Sequence, residues 1–85
     1  MDRKLGKITT IDELKKLAAG PDGLDCAIAL QGGLKSSKHI AYKSPMFYIW
    51  NLMDDTTDIL TEEQLFDRSF SNVGYALSQG MLFAE

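Results

Sequence analysis

Eighty-five residues, 45% apolar and 25% charged, allow one domain (residues 1–85) around a thin core and are too apolar for a disordered chain. No apolar run nears the roughly 18–20 residues of a membrane span, and the start MDRKLGK lacks the apolar segment of a signal peptide, so a cytoplasmic protein is expected. The net charge of −3 hides an uneven chain. Through Lys43, eight Lys/Arg face five Asp/Glu, a net of +3; from Ser44 onward Arg68 alone opposes seven acids, a net of −6.

The first predicted element is a helix. Thr10 and Glu13 have capping-box spacing, and Ile11, Leu14, Leu17 and Ala18 follow on one face. Gly20-Pro21-Asp22-Gly23 ends it, since Pro21 cannot extend a helix. The stretch from Leu24 to Met53 then reads as three antiparallel strands, cut at Gly32-Gly33 and at Lys43-Ser44-Pro45. Leu24, Cys26, Ile28 and Leu30 share one face of the first strand. Met46, Tyr48, Trp50 and Leu52 share one face of the third. Cys26, the only cysteine, reads as a small core side chain.

Asp54 to Thr57 marks a reversal, after which Asp58-Ile59-Leu60 can return as a short fourth strand. Thr61 and Gln64 repeat the capping spacing and open a short helix with Leu65 and Phe66 as core contacts. Ser71 or Asn72 caps a third helix that turns Val73, Ala76 and Leu77 inward and stops at Gly80. The run Met81 to Ala84 is too short for a helix and reads as a last strand pairing with a sheet edge. The fold expected is α+β, an antiparallel sheet of four to five strands with three short helices in the order α-β-β-β-(β)-α-α-β.

Two sets of residues are candidate binding sites. Lys35, Ser36, Ser37, Lys38 and His39 follow Gly32-Gly33, a composition suited to phosphate oxygens. The P-loop spacing is absent and a strand follows, so a solvated hairpin strand is the ordinary explanation. With Tyr42, Tyr48 and Trp50 nearby, the same strand could stack single-stranded bases, although the net charge opposes this. The second set is Asp54, Asp55, Asp58, Glu62, Glu63 and Asp67, six acids in fourteen positions uninterrupted by Lys or Arg. Solubility explains any one of them; together they suit docking on a cationic partner by imitating phosphates. A lone His39 and a lone Cys26 give little basis for a triad or a metal site, and Asp54 to Asp58 lacks the Gly and Glu of a calcium loop. No enzyme activity, cofactor or metal is expected.

The segments KITTIDELKKLAAGPDGLDCAIALQGGLKSSKHIAY, NLMDDTTDILTEEQL and SNVGYALSQGMLF together resemble a family of small proteins carried by bacteriophages and mobile elements, some of which are anti-CRISPR inhibitors. The likeness covers nearly the whole chain, through elements specific in their order but individually weak. It implies a protein that binds a CRISPR–Cas effector subunit in the bacterial host and blocks nucleic-acid engagement without catalysis. The matching positions are Lys35, Ser36, Ser37, Lys38 and His39 on the hairpin, and Asp54 and Asp55 at the turn. The chain departs from the family pattern at Pro45-Met46-Phe47, where a more polar turn is expected. The alternative is a small nucleic-acid-binding accessory protein using the Lys35–Lys43 strand.

Overall fold

Strand alternation decides which side chains form the core, and the computed structural model shows the outcome for residues 6–85. The first five residues of MDRKLGK lie outside the described part. The elements are β1 (Gly6–Lys7), α1 (Ile11–Ala18), β2 (Leu24–Ala29), a 3-10 turn (Gln31–Gly33), β3 (Lys35–Lys43), β4 (Met46–Asn51), β5 (Thr56–Thr61), α2 (Glu62–Leu65), α3 (Val73–Gln79) and β6 (Leu82–Ala84). The α+β class and the three helices are as expected, but the sheet has six strands, in the order β1-β6-β2-β3-β4-β5. All its pairings are antiparallel.

The two corrections to the strand count lie at the sheet's edges. β5 forms along six residues rather than three, because the whole of Thr56 to Thr61 pairs with β4. β1 has only two residues and no periodicity to betray it; it pairs with β6, which itself pairs with the exposed side of β2. Those pairings leave the final apolar run inside the sheet, with Leu82 fully buried.

Helix boundaries follow from their caps. The Thr10 hydroxyl accepts from the Glu13 amide at 3.1 Å, while Glu13 reaches back to the amide of Thr9 rather than Thr10. Thr61 and Gln64 make the complete reciprocal box. Ser71, not Asn72, supplies the side-chain cap of α3, its hydroxyl accepting from the Val73 amide at 3.1 Å. Gly80 closes α3 in the left-handed conformation, φ 72°, which a side chain would strain.

All three helices contribute to one core on one face of the sheet. Leu14 and Ala18 from α1, Leu65 from α2, and Val73, Ala76 and Leu77 from α3 meet Cys26, Ile28, Ile40, Phe47, Ile49, Leu60 and Leu82. Each large side chain buried there contributes about 1.5–3 kcal/mol. Three expected members stay outside: Leu17 and Phe66 are each more than two-fifths exposed, and Leu30 lies past the end of β2 and is also exposed. In β4 the core side is Phe47 and Ile49, so the Met46, Tyr48 and Trp50 side is the outer one. Burial pushes the Cys26 thiol up to about 12, so it remains protonated at neutral pH. Among the described residues, no helix is long and apolar enough to cross a membrane.

Candidate functional site

Eight, four and seven helical residues cover only one face of a six-stranded sheet. The register shows what the other face carries. One cross-strand row runs Asp25, His39, Trp50, Thr57; the next runs Ala41, Tyr48, Ile59; a third runs Lys43, Met46, Thr61. Trp50 is 45% exposed and Ile59 54%, both within paired strand rather than in a loop. At the other end Phe83 sits beside Ala27, and a hollow of about 280 Å³ lies between them and the hairpin residues Leu30 and Leu34. Large apolar groups grouped on one uncovered face mark an interaction surface more often than scattered ones do.

Polar contacts punctuate this face. The indole Nε1 of Trp50 donates to Asp55 Oδ1 at 3.1 Å, tying the ring to the β4–β5 turn. His39 Nδ1 lies 2.6 Å from Asp25 Oδ1, and Lys35 pairs with Glu85 at 2.7 Å. Lys43 lies 6.0 Å from the centre of the Tyr48 ring, at the outer limit of a cation–π contact. Gly23 lets His39 in: at φ 70°, a Cβ there would come within 2.6 Å of its Nε2.

The basic candidate set divides between the two faces. Lys35, Ser37 and His39 point to the open face, and Ser36 and Lys38 to the helix side, as a strand's period of two requires. Lys38 is half-buried and donates to Asn51 Oδ1, while Asn51 Nδ2 donates to Asp58 Oδ2 at 3.0 Å.

The acidic set also spreads out. Asp54 and Asp55 lie in the turn before β5 and are exposed, Asp58 is engaged by Asn51 on the helix side, and Glu62 and Glu63 follow β5 at its far end. Six strand residues, about 20 Å, separate the two ends. Glu62 pairs with Lys15 at 2.6 Å, a hydrogen bond that raises the lysine's pKa. Asp67 accepts from the Ser69 hydroxyl and amide, which holds its carboxyl below the usual range. Of these six acids, Asp55 bonds to Trp50 of the exposed aromatic row, and Asp54 precedes it in the same turn. Among the described residues, no three His, Cys, Asp or Glu side chains converge as a metal site.

Sequence alternation placed Tyr48 and Trp50 together but did not place Ile59, Phe83 and Leu34 with them. The available signal was the shortage of helix relative to sheet. No protein-family model, curated protein or solved structure matches this chain.

Proposed function

We propose that this is a binding protein, without chemistry of its own, that inhibits a basic nucleic-acid-handling partner by docking the β4–β5 end of its open sheet face. The observation that carries this reading is Trp50. It is a large aromatic left 45% exposed near the turn end of β4, one row from exposed Ile59, and tethered to the acidic turn through Asp55. Trp and Tyr at the centre of a contact supply most of its energy, and charges at the rim steer encounter with an oppositely charged surface. Asp54 and Asp55 supply that rim. The resemblance to mobile-element inhibitors supplies the partner class, a CRISPR–Cas effector subunit in the bacterial cytoplasm whose nucleic-acid channel is cationic.

The second reading, single-stranded nucleic acid on the same face, draws on Lys35, His39 and Lys43 beside Tyr48 and Trp50. It is weaker because Lys35 and His39 already face Glu85 and Asp25.

A target-cleavage assay with an active CRISPR–Cas effector tests the choice. Asp54→Asn with Asp55→Asn should weaken inhibition at least tenfold, and Lys35→Gln with Lys43→Gln should leave it within about twofold. Asn is chosen because Asp55 has φ 55°, a conformation Asn tolerates and Lys does not. The reverse ranking would refute the acidic-rim reading. Oligonucleotide binding that weakens steeply with salt would favour the nucleic-acid reading, because lysine–phosphate contacts release counterions.

A further inference from the structure

The helix side of the sheet holds a second, unrelated feature. Towards the β4–β5 turn, the covered face turns polar: the row Leu24–Ile40–Ile49 ends in Asp58, and the next row runs Cys26–Lys38–Asn51–Thr56. There the helices leave a cavity of about 270 Å³ between β2, β3 and the start of α3. Its floor includes Ile28 and Ala76, and its polar wall is Ser36, Lys38, Arg68, Asn72 and Tyr75. We infer that this cavity binds a small organic anion, a single apolar ring bearing one carboxylate or phosphate group, with Lys38 and Arg68 as its charge partners.

Five observations converge on that chemistry. Among the described residues, neither Lys38 nor Arg68 forms an ion pair. Lys38 donates to the neutral oxygen of Asn51, which leaves two of its three ammonium hydrogens for another acceptor. Arg68 stacks on Tyr75, 4.0 Å from the ring centre, which orients the guanidinium plane while leaving its edge hydrogens free for a carboxylate or phosphate. Asn72 stands at the N-cap position of α3 yet makes no capping bond, because Ser71 caps instead; its amide lines the cavity. The acid in this hydrogen-bond network, Asp58, is held by Asn51 rather than by Lys38, and Asp67, next to Arg68 in the chain, accepts from Ser69.

Size limits the ligand further. Pockets for drug-sized molecules run from roughly 300 to 1,000 Å³, so this one suits a single ring with its head group. The apolar floor requires the ring, and the two cations require the charge.

Amide-resolved NMR titrations with benzoate, phenyl phosphate and neutral benzyl alcohol test the inference. Shifts at Ser36, Lys38, Arg68, Asn72 and Tyr75 are expected with one or both anions, at least tenfold tighter than with benzyl alcohol. Benzoate and phenyl phosphate distinguish the two head groups. Arg68→Gln should weaken the anion at least tenfold; Arg68 is exposed in a turn, so this variant keeps the fold. Lys35→Gln, on the opposite face, should change nothing. Equal binding of benzyl alcohol, unchanged binding by the Arg68 variant, or shifts confined to Ala27 and Phe83 would each overturn the site.

Discussion

The two faces of this sheet are built from alternate residues of the same strands, yet they follow different rules. On the helix side Ile40, Phe47 and Ile49 are completely buried and pack against three helices. On the other side Tyr48, one residue away along β4, is only partly buried, and Trp50 is 45% exposed. A chain seeking stability alone would place Thr or Lys on a solvated face. Large apolar groups there make sense as a surface kept for a partner, and the buried side then carries nearly all of the stability.

Substitutions on each side test that division. Phe47→Ala should have the largest effect on folding, because it empties the centre of the core row between Tyr42 and Leu60. A loss of about 3–5 kcal/mol is expected, enough to unfold much of a domain this small, read by chemical denaturation. A loss below about 1 kcal/mol would remove Phe47 from the centre of the account. Gly74→Ala comes next. A Cβ at Gly74 would stand 2.5 Å from the Leu65 carbonyl oxygen and 2.6 Å from Phe66 Cα, both backbone, so α3 must move off α2. About 1–3 kcal/mol of destabilisation follows, and an unchanged melting temperature would contradict the close contact.

The strand pairings behind this division were largely legible in the sequence. Alternation from Leu24 to Met53 has a single period, Gly-Gly and Ser-Pro mark its turns, and capping residues mark the helices. Two things were not legible. The pairing of β1 with β6 rests on backbone hydrogen bonds between segments more than seventy residues apart, which no local pattern encodes. The division of Lys35 from Lys38 follows directly from strand geometry, but runs such as Lys-Ser-Ser-Lys read as one patch until a face is assigned. The cavity was hidden for a similar reason: Arg68, Asn72 and Tyr75 meet Lys38 only through tertiary packing.

The smallest expected effect concerns Cys26. A fully buried thiol held protonated should react with a thiol reagent at pH 8 only as the protein unfolds, so labelling should follow the unfolding rate. Labelling as fast as a free thiol in the folded protein would show that the β2–β6 pairing opens readily. The sign follows from the raised thiol value. Stability from this group is present below the ordinary cysteine value and is lost as pH rises towards about 12.

The division between the faces is tested most directly at Trp50, the only tryptophan. Trp50→Thr keeps a strand-favouring residue in place while removing the exposed ring. Folding stability and inhibition of target cleavage should be measured on the same preparation. The account predicts a stability change within about 1 kcal/mol, the range of a cross-strand pair, and at least a tenfold loss of inhibition. Full inhibition by a folded Trp50→Thr protein would contradict it and place the contact elsewhere on the molecule.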